Sequence, residues 1–166
     1  MLIWCGSREK AVCCFSGSGF VGVYLDWGVS YNRYFIVNVY SKCSLVEKRT
    51  MWRRMEQLKD YLGEDNWCVV GDFNSVLTAT ERRVFTGDIT RGSNIENLVG
   101  EMGLLDLPLL GRRFTWFQPN GGAMNQLDRF LVSDGWWDFW GEPSQWALAR
   151  DVSDHYPIIM RYSSQL

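Results

Sequence analysis

Between Phe20 and Gly71 the sequence changes its hydrophobic period twice, which limits the chain to folds that mix sheets with helices. Phe20 to Trp27 and Arg33 to Tyr40 alternate apolar and polar residues as half-buried strands do, and Gly28 to Asn32 between them predicts a hairpin connection. The period then becomes helical. Ser44 with Glu47 forms a capping box, Trp52, Met55, Leu58 and Leu62 recur at helical spacing, and Gly63 ends the pattern. Trp67 to Gly71 returns to the apolar run of a buried strand.

The second half continues the mixture. Ser75 to Gly92 shows no period and predicts a long loop; Ser93 with Glu96 makes another capping box for a short helix carrying Ile95, Leu98, Val99 and Met102 and ended by Gly103. Phe114 to Gln118, a Pro119-Asn120-Gly121-Gly122 turn and Asn125 to Val132 predict a hairpin. Ser133 caps an aromatic turn, and Gln145 to Ala149 and Pro157 to Tyr162 are the last predicted strands. Strands and helices at this spacing fit an α/β or an α+β layered domain, and periodicity alone does not choose between them. At 166 residues and 46% hydrophobic, one core is expected.

A formal charge of −2 and a pI near 5.4 exclude a global positive field, so any phosphate affinity must be local. Of the basic pairs, Lys48-Arg49 and Arg53-Arg54 are expected on a solvated helix face. Arg82-Arg83 and Arg112-Arg113 fall near loops and are the expected phosphate contacts. Cys5, Cys13, Cys14, Cys43 and Cys68 lack paired metal-ligand spacing and read as reduced thiols packed in the core. Met1 to Gly6 has no basic region, and no apolar run approaches membrane-spanning length, so an intracellular protein of nucleus or cytoplasm is expected.

Chemistry concentrates at strand ends. Gly71-Asp72-Phe73-Asn74 puts a carboxylate and a carboxamide two residues apart, on one face, where Gly71 lets the backbone bend. Taken alone this tetrapeptide is more often a plain turn. Downstream, however, come Phe114-Thr115-Trp116, then Gln126-Leu127-Asp128-Arg129-Phe130, then Ser153-Asp154-His155-Tyr156-Pro157 with the only histidine. This order resembles the endonuclease/exonuclease/phosphatase superfamily, the DNase I-like phosphodiesterases. The wording Leu107-Pro108-Leu109-Leu110-Gly111-Arg112-Arg113-Phe114-Thr115-Trp116, followed by Leu127-Asp128-Arg129 and Ser153-Asp154-His155, is similar to the endonuclease domain of plant LINE-type (non-LTR) retrotransposons.

The resemblance implies a four-layer sandwich, two mixed sheets face to face with helices outside, and a site where strand-end loops converge. It implies metal-dependent hydrolysis of DNA phosphodiesters. Asp72 would deprotonate a water that Asn74 positions, His155 would bond a phosphoryl oxygen with Asp128 fixing its tautomer, and Tyr40 would contact phosphate or support the leaving group. Asp154 would assist the metal; Thr115, Trp116, Arg82 and Arg112 would lie along the substrate. The family's opening strand ends in an Asn and is followed by a metal-ligating Glu, and neither precedes Met1-Leu2-Ile3-Trp4. Residues 1–166 are therefore expected to be one such domain, incomplete at its N-terminus, with magnesium (or manganese) held weakly and with weak or absent nicking. Two other functions share the same residues: a non-catalytic remnant, and a phosphodiesterase or phosphatase acting on a non-DNA phosphoester.

Overall fold

The computed structural model describes residues 9–27, 32–63, 66–84 and 95–162. Its centre is a six-stranded mixed sheet in the order β1-β2-β3-β4-β10-β6, from β1 (Glu9–Gly17), β2 (Phe20–Trp27), β3 (Asn32–Tyr40), β4 (Asn66–Asp72), β6 (Leu104–Asp106) and β10 (Asp128–Ser133). β3 and β4 run parallel because helix α1 (Leu45–Leu62) carries the chain back between them; the remaining pairs are antiparallel. The expected sandwich partner is present as two three-stranded pieces. One is β12-β11-β7, with β7 (Leu109–Leu110), β11 (Pro143–Ala147) and β12 (Ile158–Tyr162). The other is β5-β9-β8, with β5 (Arg82–Val84), β8 (Trp116–Phe117) and β9 (Ala123–Asn125).

Strand alternation divides the core between the two faces of the central sheet. Phe35, Val37 and Val39 of β3, Trp67 and Val69 of β4 and Leu131 of β10 pack with Met51, Trp52 and Met55 of α1 and with Ile95 and Leu98 of α2 (Ile95–Glu101). The intervening Tyr34, Ile36, Cys68 and Val132 join Leu107 and Trp136, the latter on α3 (Asp134–Trp140). Ser133 caps α3 as expected, its hydroxyl accepting from the Trp136 N–H at 3.3 Å and also from the Trp67 N–H at 2.9 Å.

Several expectations are corrected. The predicted strand Asn125 to Val132 is two strands in different sheets. β9 pairs with β8, the chain crosses at Gln126-Leu127, and β10 enters the central sheet between β4 and β6. The crossing is held from outside the ladder: Thr115 Oγ1 accepts from the N–H groups of Leu127 and Asp128, both at 2.9 Å. Ser44 makes no side-chain cap to α1, and the Glu47 carboxylate pairs instead with Lys42 at 2.6 Å. Lys48 is buried rather than solvated. Cys13, Cys14 and Cys43 are exposed, the first two on the edge strand β1, and only Cys68 of the described cysteines is a core thiol. The loop from Ser75 contains a 3-10 turn at Ala79–Glu81 and then β5. The Gly28 to Asn32 connection falls almost wholly outside the described residues, as do Ser93 of the second capping box and Cys5. Among the described residues, no helix is long and apolar enough to cross a membrane.

Candidate active site

Asp72, Asn74, Asp128 and His155 come together where β4 ends and β10 begins. Asp72 closes β4 and Asp128 opens β10, and the antiparallel register sets them directly opposite each other. Tyr40, the last residue of β3, is the parallel neighbour of Asp72. The strand can stop and turn at this point because Gly71 lies at φ +145, with the Val39 carbonyl oxygen only 2.0 Å from where a Cβ would stand. No residue with a side chain fits there.

The turn after Asp72 is tied at every step. The Asn74 N–H donates to Asp72 Oδ1 at 2.8 Å, and its Nδ2 donates to Asp72 Oδ2 at 3.2 Å and to the Ser41 carbonyl at 2.7 Å. Asn74 is the only described non-glycine residue at positive φ, 46°, a conformation asparagine tolerates better than most. Buried Phe73 anchors the turn through its N–H to the Leu127 carbonyl at 2.9 Å. Lys48, reaching from α1, donates from Nζ to the Asn74 carbonyl at 2.5 Å and to Ser75 Oγ at 2.7 Å. Burial holds its ammonium below the usual lysine range. Nothing in the reading of basic pairs pointed to Lys48, yet its spacing from Met51, Trp52 and Met55 places it on the buried stripe of the helix.

His155 enters from the segment between β11 and β12, bridged to Trp116 of β8. Its Nδ1 lies 2.8 Å from Asp128 Oδ2, with His155 31% and Asp128 15% exposed, so both reach the cleft surface. With a carboxylate oxygen as its acceptor, Nδ1 carries a proton and Nε2 is the nitrogen that faces away from Asp128. That hydrogen bond, with the charges of Asp128, Asp72 and Asp154, raises the His155 pKa against the opposing effect of burial. Asp72 is pushed up to about 6, chiefly by burial; Asp128 adds to the rise, and Asn74, His155 and Lys48 oppose it.

The segment that carries His155 is fixed by Thr115 and Trp116. The Thr115 carbonyl accepts from the Tyr156 N–H at 2.7 Å, Trp116 and His155 form an isolated antiparallel bridge, and Trp116 Nε1 donates to Asp154 Oδ2 at 2.9 Å. This last bond lowers the Asp154 pKa. Thr115 is fully buried and faces the backbone crossing. Tyr40 is 66% exposed and stands at the rim. Arg82 is half-buried on β5, near enough for its charge to act on Lys48; Arg112 lies farther out, with its guanidinium over the Tyr156 ring.

Beneath the site sits a buried ion cluster that sequence reasoning missed. Arg129, fully buried, pairs with Glu81 at 2.7 Å and Asp106 at 3.0 Å and donates to the Gln126 carbonyl at 3.0 Å. It joins the 3-10 turn, β6 and the crossing before β10. Its alternation with core Leu131 was the available signal. Gln145 of β11, also fully buried, accepts from the Phe130 N–H at 2.9 Å and donates to the Leu107 carbonyl, which locks the small sheet to the central one.

The described residues do not by themselves fit a divalent cation. No group of three or more His, Cys, Asp or Glu among them could hold one, and Asp72, Asp128 and Asp154 are each engaged by a neighbour. A hard cation of this kind takes about six or more oxygen ligands.

A family model described as the Endonuclease/Exonuclease/phosphatase family matches residues 17–155. A comparison with curated proteins gave no match. The endonuclease domain of TRAS1, a telomere-specific non-LTR retrotransposon, superposes with a TM-score of 0.65 at 18% identity, over 89% of this chain and 65% of that one. The 3′ phosphatase NExo from Neisseria, bound to a product DNA hairpin, gives 0.64 at 18% identity, over 95% of this chain and 73% of that one. The AP endonuclease LMAP from Leishmania major gives 0.64 at 14% identity, over 86% and 54%. The chain thus spans little more than half of the last and about two thirds of the first.

Proposed function

Because the chain belongs to the Endonuclease/Exonuclease/phosphatase family, whose chemistry is phosphoester hydrolysis, we propose that its substrate is the phosphodiester backbone of DNA. The observation that carries this reading is the line Asp72, Asp128, His155: a carboxylate of raised pKa, a second carboxylate opposite it, and an imidazole held by that second carboxylate. An in-line displacement at phosphorus needs a deprotonated water and donors for the charge that develops on the phosphoryl oxygens. Asp72 takes the water's proton, and its pKa near neutrality suits that task. Asn74, bonded to both Asp72 oxygens, keeps the carboxylate aimed. His155, as the imidazolium that its raised pKa favours, donates from Nε2 to a phosphoryl oxygen, while Asp128 accepts from Nδ1–H and fixes the ring orientation.

Tyr40 at the rim is a phosphate or leaving-group contact, Trp116 positions Asp154, and Arg82 and Arg112 are backbone contacts on either side. The sequence wording from Leu107 to Trp116, together with the likeness to a retrotransposon endonuclease domain, supports an endonuclease of that kind. Family members generally use divalent metals; because the described residues do not form such a site, the roles above are those of the side chains alone.

The test is a time course of supercoiled plasmid nicking with magnesium, with manganese and with chelator. Asp72→Ala and His155→Ala should each abolish any nicking of the wild-type chain. Nicking that persists in both variants, or hydrolysis of a non-nucleotide phosphodiester in preference to DNA, would overturn the proposal.

A further inference from the structure

Helices α1 and α2 enclose between them a cavity of about 290 Å³ that shares no residue with the candidate active site. One stripe of α1 walls it, Arg49, Trp52, Arg53 and Glu56 at the spacing of a single helix face, and Asn97, Leu98 and Glu101 of α2 close the other side. Its buried wall carries an unmet donor. Trp52 is 4% exposed, and its Nε1–H is buried with no hydrogen-bond partner among the described residues. An indole N–H can only donate, and a buried one is nearly always paired.

The other polar groups sort by charge. Arg49 and Arg53 are exposed and lie about one helical turn apart. The Glu56 carboxyl is hydrogen-bonded to that of Glu101, and two carboxyls can bond only when one of them keeps its proton. Burial first, and then that bond and the Glu101 charge, raise the Glu56 pKa; Asp60 adds to the rise and Arg53 opposes it. With one proton shared, the pair carries a single negative charge against two guanidiniums, so the wall is rich in donors and net positive. The volume is at the lower limit for organic ligands and suits a compact ion with its waters. We propose that this groove binds a compact oxyanion, a phosphate monoester or a small carboxylate, whose oxygens accept from Trp52 Nε1 and from the Arg49 and Arg53 guanidiniums. Binding favours the proton shared by Glu56 and Glu101, because two ionised carboxylates beside the anion would repel it. Affinity therefore falls as pH rises through the titration of the pair. The inference does not depend on the DNA reading.

The test is a sulfate titration of the full chain followed by NMR of the indole N–H resonances, the Trp52 signal being assigned from triple-resonance spectra, with sodium chloride at matched ionic strength as the reference. Sulfate keeps its charge from the carboxylate range to neutral pH, so any pH dependence belongs to the protein. The Trp52 signal should shift saturably with sulfate and not with chloride. Arg53→Ala should weaken binding roughly tenfold, the scale of one charge-assisted hydrogen bond, and Arg53→Lys should recover part of the loss. Glu56→Gln, which keeps a bond to Glu101 without a titrating proton, should bind as tightly at neutral pH as the wild type does in acid. Arg54→Ala, at an exposed position on α1 outside the cavity, should change nothing, and a thermal melt of each variant reports folding. Glycerol phosphate and succinate, titrated in turn, distinguish the two sources, the tighter naming the class. A Trp52 indole signal that sulfate does not move, or equal affinity in wild type and Arg53→Ala, overturns the site. A wild-type affinity that does not change with pH overturns its link to the Glu56–Glu101 proton.

Discussion

The 2.8 Å bond between His155 Nδ1 and Asp128 Oδ2 links the segment that leads into β12 to a strand of the central sheet, and through register it brings the imidazole to Asp72. Activity should therefore be bell-shaped in pH. The acid limb follows Asp72, which must lose its proton near 6, and the alkaline limb follows His155, whose protonated form is favoured above its ordinary value. Asp128→Asn removes the largest cause of the His155 shift and one contributor to that of Asp72, so both limbs should move to lower pH. A pH profile of the variant that matched the wild type would mean the pair does not act together.

The same shifts have a stability sign. Asp72 binds its proton more tightly folded than unfolded, so its contribution is present below the ordinary carboxylate range and is lost as pH rises toward 6. His155 likewise favours the folded state at low pH, its contribution fading as pH rises through its raised folded value. Denaturant unfolding across pH 4 to 6 should show a shallower decline in Asp72→Asn than in wild type.

Lys48→Met should loosen the Asn74 turn by leaving the Asn74 carbonyl and the Ser75 hydroxyl without their donor, at a cost of about 1–3 kcal/mol in unfolding free energy. Any nicking activity should fall roughly ten- to a hundredfold, the scale associated with small misplacements of a reacting group. Lys48→Arg should recover stability more than activity. Chemical denaturation and plasmid nicking on the same preparations separate the two effects.

Arg129→Met strands the Asp106 and Glu81 carboxylates below the site, which should destabilise the fold by about 3–5 kcal/mol. Asp106, pushed up to about 6 by burial despite Arg129, should then rise further, and carbon-detected NMR titration of its carboxyl would show it. A variant as stable as wild type would show the cluster to be replaceable by packing.

Gly71→Ala places a Cβ 2.0 Å from the Val39 carbonyl oxygen at a φ that alanine avoids, so β3 and β4 must part where Tyr40 and Asp72 are neighbours. A loss of more than about 3 kcal/mol is expected, the upper range for overpacking combined with backbone strain. Thermal unfolding measures it directly.

Periodicity was enough to read β2, β3, α1, β4 and the stripe of α2, because in each the apolar residues face one covered layer. It could not read the break after Asn125, since Leu127 and Leu131 fall on one face of a single strand pattern while the chain changes sheets at Gln126-Leu127 under the control of Thr115, a residue distant in sequence. β1 was missed because it is an edge strand exposed along much of its length, so no alternation marks it. Asp72, Asn74, Asp128 and His155 stood out as polar residues at the ends of apolar runs. Lys48 and Arg129 did not, because a cation reads first as a surface residue and only its spacing from core positions, Met51, Trp52 and Met55 for Lys48 and Leu131 for Arg129, turns it inward.

The crossing at Gln126-Leu127 also bears on the order in which the molecule forms. β1, β2 and β3 make a local meander, and β4 arrives through one helical crossover. β10 must instead thread between β4 and β6, and His155 must then dock from beyond it. Closing such distant pairings costs more chain entropy than forming the meander, so the catalytic constellation should be the last part of the fold to assemble and the first to be lost. In native-state hydrogen exchange, the amides of Asp128 and Tyr156 should open at a lower free energy than those of β3, leaving a partly folded species that has its helices and most of its central sheet but no active site.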